Sequence, residues 1–379
     1  MSLQSHKVPV EGAYIASDAA LVLAAEHWLT VPALGIDTEF IRADTFHPIP
    51  ALIQVSDGQH CWLIDVLRVK DFSPFARVLT DPSVIKVVHA ASEDLEVFDR
   101  LLHVLPEPLF DTQIAAAFCC HGASIGYSRL VQAVLSIEIS KDQCRSDWLA
   151  RPLTVEQKHY ACLDVLYLPT LYRHLHLELT RQQRLHWAME DNSRQLARYC
   201  EQRDAVYSIE RISSINKLNT QERRCLWHLL LGRDALARSC NKPRNHIARD
   251  HVLVDIARKP PRHLGDLSAI DGFTPSSIRR FGEQFLQLAR TVPPDLLCPF
   301  IAEPLSRAEA ARAKAARALA DSIARSLDLP PDLLLRRQEL EQLIRSHSAA
   351  NAQLMPARFS GWRGDVLRDA LLVEIENWR

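Results

Sequence analysis

The hydrophobic pattern of this chain changes period near residue 180. Before that point, short apolar runs bounded by turn residues recur. Segments 32–38, 50–56, 60–65 and 84–89 read as strands, with His47-Pro48 and Ser56-Asp57-Gly58 as turns. Segments 92–103, 111–119 and 127–136 carry helical spacing. Thr154, followed three residues later by Gln157, forms a capping box and opens a further long helix. Strands first and helices later predict a mixed sheet with helices packed on it, an α/β architecture.

Beyond residue 180 the strand signal disappears. A charged helical stretch at 180–203 either packs back or serves as a connector. Two all-helical units follow, separated by Pro293-Pro294. The first contains Leu226-Trp227-His228-Leu229-Leu230-Leu231-Gly232-Arg233-Asp234. The second opens with an Ala/Arg-rich helix at 306–326 and closes with Phe359-Ser360-Gly361-Trp362-Arg363 and an amphipathic helix. The expected domains are 1–205, 206–292 and 293–379.

Composition narrows the class. At 379 residues, 47% hydrophobic and 24% charged, the chain has the make-up of a soluble protein with two or three cores. No apolar stretch reaches bilayer length, and the start Met1-Ser2-Leu3-Gln4-Ser5-His6-Lys7 lacks a signal-peptide pattern. Nine cysteines without a C-x-x-C pair fit reduced thiols, so a cytoplasmic location is expected, with no membrane partner. The net charge of −1 conceals an asymmetry. Residues 1–205 carry 18 basic and 26 acidic side chains, whereas 206–292 carry 15 and 8. The basic middle part is the expected anchor for a phosphate backbone.

The candidate chemistry lies in three acidic motifs. Asp37 and Glu39 end an apolar strand, Val31-Pro32-Ala33-Leu34-Gly35-Ile36, and residues two apart on a strand share a face. Ser92-Glu93-Asp94 follows the strand at 84–89. Tyr160 and Asp164 are four apart on the capped helix and so share one side of it. Four carboxylates that can converge, together with a phenol, describe a site for two divalent cations and phosphodiester hydrolysis. Among their neighbours, His89 reads as a structural histidine at a strand end, and His159 points about 100° away from Tyr160. Asp111 reads as a helix cap that could also support the acidic cluster.

These motifs resemble the DEDD superfamily of 3′→5′ exonucleases, in the subgroup with a tyrosine in its last motif, and most closely the ribonuclease D family. The resemblance rests on Ile36-Asp37-Thr38-Glu39-Phe40-Ile41-Arg42, Ala51-Leu52-Ile53-Gln54-Val55 and His89-Ala90-Ala91-Ser92-Glu93-Asp94-Leu95. It continues through Lys141-Asp142-Gln143-Cys144-Arg145-Ser146-Asp147-Trp148 and Arg151-Pro152-Leu153 to Tyr160 and Asp164. It implies a ribonuclease-H-like exonuclease domain, a mixed sheet flanked by helices, followed by two all-α HRDC-like domains.

The resemblance also implies roles. Asp37, Glu39, Asp94 and Asp164 would be the metal ligands of a site with two Mg²⁺ or Mn²⁺ ions, the hard cations that carboxylates favour. Asp37 would bridge both ions, Glu39 and Asp164 would hold the ion that carries the nucleophile, and Asp94 would support the second. Tyr160 would be catalytic with these four; a phenol of pKa near 10 is a poor base at neutral pH, so it is expected to orient the attacking water. Gln143, Arg145, Asp147 and Trp148 are expected to line the approach of the 3′ end, with Trp148 either stacking a base or packing. Phe40 and Phe46 are expected to wedge or stack terminal nucleotides. The implied partner is RNA with a free 3′ end, transfer RNA precursors above all, with no obligate protein partner. A DNA 3′→5′ exonuclease and a non-catalytic nucleic-acid scaffold are the alternatives.

Overall fold

The computed structural model describes residues 12–139, 146–203, 209–212, 214–299, 303–348 and 357–376. The first half alternates β1 (Ala13–Ile15), α1 (Asp18–Trp28), β2 (Ala33–Ile41), β3 (Ile49–Ser56), β4 (Cys61–Asp65), α2 (Ser73–Thr80), β5 (Ile85–Val88), α3 (Asp94–Leu102) and β6 (Leu109–Asp111). Helices α4 (Thr112–Phe118), α5 (Tyr127–Leu135), α6 (Val155–Leu166), α7 (Leu168–Arg181) and α8 (Leu185–Gln202) follow. The six strands form one mixed sheet in the order β1-β4-β3-β2-β5-β6. Strands β1 and β4, β2 and β5, and β5 and β6 pair in parallel, and β3 and β4 pair antiparallel.

The two-residue alternation of the strands divides the sheet between two cores. Leu34, Ile36, Ile53, Val55, Ile64 and Val88 meet α1, α2 and α3 on one side. Ala33, Leu52, Leu63 and Val87 meet α4 to α7 on the other. Asp37 and Glu39 have the parity of Ala33, so they continue the second side past the end of the apolar run.

The approach of helix to strand is set by Gly35. A Cβ there would lie 2.6 Å from the Val165 carbonyl oxygen and 2.8 Å from Leu168 Cβ, inside the join of α6 and α7. Only a residue without a side chain lets this join rest on β2, two positions before Asp37. Gly35→Ala is expected to destabilise the protein by about 1–3 kcal/mol, the usual penalty of overpacking. Thermal unfolding measures it, and an unchanged Tm would show that the join can yield.

The remaining helices are α9 (Thr220–Ser239), α10 (Arg244–Ile247), α11 (Asp250–Arg258), α12 (Leu264–Leu267) and α13 (Pro275–Arg290), then α14 (Arg307–Ser326), α15 (Pro331–Leu334), α16 (Arg337–Ser348) and α17 (Trp362–Glu376). The chain forms two compact units. One joins residues 1–41, 50–200 and 305–379, and the other joins 42–49 with 201–304. In the first unit the C-terminal helices share the core of α4 to α8, through Ala316, Ala320, Trp362 and Leu367. Trp362 stacks on Trp187 at 4.7 Å, and Arg363 forms a fork of two 2.5 Å bonds with Asp191 of α8. The segment expected as a separate domain from 293 is therefore, from 305 onward, part of the sheet unit. The Ala/Arg-rich sequence explains the packing: Ala316, Ala320 and Ala324, four apart, form a flat stripe that is buried.

In the second unit α9 packs against α11 and α13, and Asn219 with Glu222 closes a capping box at its start. Arg233, 1% exposed, donates to the Ala248 carbonyl and to Asp250. Arg238 and Arg244 both bond Asp234. Part of the basic excess of this region is thus committed to internal pairs.

Candidate active site

The three motifs arrive from three elements. Asp37 and Glu39 extend from β2, Asp94 is the first residue of α3, and Tyr160 and Asp164 lie on α6. The capping box holds the start of α6: Thr154 Oγ1 accepts from the Gln157 N–H at 3.1 Å, and the Thr154 N–H donates to Gln157 Oε1 at 2.9 Å. Gln157, Ala161, Cys162 and Val165 are buried, which leaves Tyr160 and Asp164 half-buried at the rim of the packed face.

Asp37 and Glu39 feel the carboxylates around them. Burial raises the Asp37 carboxyl well above the ordinary aspartate value, and Asp94, Asp164 and Glu39 each raise it further. Glu39 is pushed up to about 8 by burial, then by Asp164 and Asp94. Burial lifts Asp94 to about 7 against the opposing Thr38 hydroxyl, which donates to Asp94 Oδ1 at 2.5 Å. Burial lifts Asp164 to about 7, opposed by a hydrogen bond from Tyr160. Mutual effects of this kind need separations of several ångström. Among the described residues, however, no three His, Cys, Asp or Glu side chains stand at the closer spacing of a formed metal shell. The Asp94 carboxylate is held by the Thr38 hydroxyl and that of Asp164 by Tyr160. The donor set is all hard oxygen, which fits Mg²⁺ or Mn²⁺.

The other expected site residues separate. Trp148 is 3% exposed and packs in the core, its ring 6.1 Å from that of Tyr160, so it supports the tyrosine and presents no face to a base. Asp147 is exposed and caps the turn before α6: its carboxylate accepts from the Leu149 N–H, and its carbonyl accepts from Gln157 Nε2. Phe40 is half-buried and, by strand alternation, lies on the opposite face of β2 from Asp37 and Glu39. Phe46 belongs to the helical unit, where its ring lies 4.8 and 4.6 Å from the Arg238 and Arg244 guanidinium carbons. Its backbone N–H donates to Asn241 Oδ1, so the ring anchors its own loop and is not displayed as a wedge. Gln143 and Arg145 lie outside the described residues. His89 is structural, as expected: one ring nitrogen pairs with the Thr112 hydroxyl and the other with the Ile125 carbonyl.

Two supports escaped the sequence reading. Tyr127 donates its hydroxyl to the Leu163 carbonyl at 3.0 Å and accepts from the Tyr167 N–H at 3.3 Å. Those backbone groups are four apart and would bond each other in a continuous helix, so the phenol enters the ladder beside Asp164 and bends the chain into α7. Arg151 places Nε and Nη2 2.9 Å from the two Asp65 carboxylate oxygens and donates to the Trp148 and Ala51 carbonyls, which fixes the turn ahead of α6. The bonds that tie each to a distant part of the chain, Tyr127 to Leu163 and Arg151 to Asp65, span 36 and 86 positions and carry no local signal.

Comparison with known proteins follows the same division. A 3′-5′ exonuclease family matches residues 13–180, and an HRDC domain family matches residues 222–288. "Ribonuclease D" of Pseudomonas paraeruginosa is 40% identical over 367 residues, covering 96% of this chain and 97% of that protein. The solved structure of Escherichia coli RNase D, described as an exoribonuclease involved in structured RNA processing, superposes with a TM-score of 0.86 at 34% identity. It covers 97% of this chain and 99% of that one. A protein from Bifidobacterium adolescentis, at 21% identity and a TM-score of 0.72, shares the fold over 97% of each chain.

Proposed function

The chain belongs to the ribonuclease D family of 3′→5′ exoribonucleases, and from that premise we propose that it trims the 3′ ends of structured RNAs, transfer RNA precursors among them, releasing nucleoside 5′-monophosphates in the cytoplasm. The observation that carries this reading is that Asp37 and Glu39 of β2 are each raised by Asp94 of α3 and Asp164 of α6, which gathers carboxylates from three separate elements. Unneutralised carboxylates gathered in this way gain most from divalent cations. Asp37, Glu39, Asp94 and Asp164 would hold two such ions. When bound, these supply charge neutralisation at the scissile phosphate and a more acidic water.

The chain's own groups do the rest. Asp37 is the carboxylate that each of the other three raises. Tyr160 holds Asp164 through its hydroxyl, and the same hydroxyl would orient the attacking water. The basic helical unit at 206–292 would grip the RNA body through the positive charge left over from its internal pairs. The helices from 305 onward are attached to α8, and we infer that this makes their contribution to binding smaller than that of the basic unit.

Two expected results test this. A 5′-labelled transfer RNA precursor with a 3′ trailer should shorten from its 3′ end in Mg²⁺ and stay intact in EDTA. Retained binding without cleavage would remove the reading. A matched single-stranded DNA should be digested more slowly, and preference for DNA would move the substrate class.

The raised carboxyls give a second expectation. A group whose folded pKa lies above its unfolded value binds more protons when folded, so stability falls as pH rises between the two values. For Glu39 that window runs from the ordinary 4.5 to about 8, and for Asp94 and Asp164 from 3.8 to about 7. The metal-free protein should lose Tm as pH rises from about 4 to about 8, and Mg²⁺ should restore it most at the upper end. Thermal unfolding across that range with and without Mg²⁺ decides; a metal-induced gain that is flat with pH would sink the idea.

A further inference from the structure

The segment that delivers Asp94 is short and strained. Between β5 and α3, Ala90 adopts a φ of +60°, a left-handed conformation that a residue with a side chain holds only under constraint. The constraint comes from Asp111, the last residue of β6 and the cap of α4, which is 1% exposed. Its Oδ1 accepts from the Ala90 N–H at 2.9 Å and the Gln113 N–H at 2.9 Å. Its Oδ2 accepts from the Ala91 N–H at 3.0 Å and from Gln195 Nε2 at 3.2 Å. Four N–H donors close on one buried carboxylate.

Two of these links lead to the site. The Ala91 carbonyl accepts from the Leu95 N–H at 3.0 Å, so Ala91, held by Asp111 through its N–H, also starts α3 through its carbonyl, and the first residue of α3 is Asp94. The other direction leads to α8. The Asp111 N–H donates to Asn192 Oδ1 at 2.9 Å, and Asn192, 1% exposed, donates Nδ2 to the Ala188 carbonyl at 2.9 Å. Helix α8 thus reaches the acidic segment through two amide side chains and one carboxylate. Nothing in helix capping alone calls for this, because the Gln113 bond already satisfies the cap.

We propose that Asp111, buttressed by Asn192 and Gln195 of α8, is a positioning residue for Asp94, holding the Ala90–Ala91 peptides in the conformation that aims its carboxylate into the site. Replacing the carboxylate by an amide puts an NH₂ group against one of the two loop N–H groups, which frees the strained segment to relax. This rests on the reading of Asp94 as an essential carboxylate of an exonuclease site.

The test compares full-length wild type, Asp94→Asn, Asp111→Asn and Gln195→Ala on a single-stranded RNA oligonucleotide, with Mn²⁺ binding by calorimetry and Tm on each. Asp111→Asn should lose about 10–100-fold in both kcat and Mn²⁺ affinity, the range seen when a group orienting a metal ligand is removed, with KM for RNA within about twofold. Gln195→Ala should lose about threefold in the same two quantities. An Asp111→Asn protein with a lowered Tm but unchanged kcat and Mn²⁺ affinity overturns the inference and leaves a structural cap. If Asp111→Asn fails to fold, an unchanged Gln195→Ala overturns it and a weakened one upholds it. An active Asp94→Asn enzyme overturns the reading of the site itself, whereas an inactive one beside an undiminished Asp111→Asn overturns the positioning role alone.

Discussion

Asp37→Asn is expected to lower kcat on the order of 10³-fold while KM for RNA changes little, the largest effect of any single substitution in this chain. Asp37 is the carboxylate on which the other three act, so its loss is felt by all of them. The amide matches the carboxyl in shape, which confines the change to charge. A fall in kcat and kcat/KM together is the signature of an interaction made in the transition state. Stability should move the other way. Removing one of four crowded carboxylates relieves repulsion, so the metal-free Tm should hold or rise, and the rise on adding Mg²⁺ should shrink. Steady-state kinetics and thermal unfolding on the same preparation separate the two. A variant with near wild-type kcat would exclude Asp37 from the chemistry.

Tyr160→Phe is expected to cost roughly 10²-fold in kcat, the scale of a lost acid–base contribution. The structure adds a pH dependence to that expectation. The Tyr160 hydroxyl holds the Asp164 pKa down, against burial that raises it to about 7. Without the donor, Asp164 keeps its proton to higher pH, so the acid limb of the rate profile should shift upward. The deficit should be larger near pH 6.5 than near pH 8.5, where Asp164 is more fully ionised. A deficit constant across that range would assign the hydroxyl to the nucleophile alone, and an unchanged rate would remove it from the mechanism. The fold should tolerate the change, because the ring still packs beside Trp148.

Much of the site was legible because its signals are local. Alternation in β2 puts Asp37 and Glu39 on one face, a four-residue step puts Tyr160 and Asp164 on one side of α6, and Thr154 with Gln157 caps that helix. The strands at 50–56, 60–65 and 84–89 appear within one or two residues of their expected ends. What escaped is non-local. Strands β1 and β6 are three residues each, too short to show a period, and exist because β4 and β5 supply their hydrogen bonds. The aromatic candidates fared worst, because an aromatic residue near a motif can face substrate, core or another unit, and sequence weights these equally. Trp148 went to the core and Phe46 to a pair of arginines.

The sequence by itself determined the candidate groups, four carboxylates and a phenol, the mixed sheet that carries them, and the helical segments that follow. These depend on periods of two and 3.6 residues, which the chain dictates wherever it lies. The tertiary structure alone decided how those groups are held. Gly35 admits the join of α6 and α7, Tyr127 bends it, and Asp111 fixes the approach to Asp94 with help from α8. It also placed the C-terminal helices in the core of the sheet unit, through Trp362 on Trp187 and Arg363 on Asp191. Each of these contacts joins residues far apart in the chain, and only packing can select such a pairing from the many that composition allows.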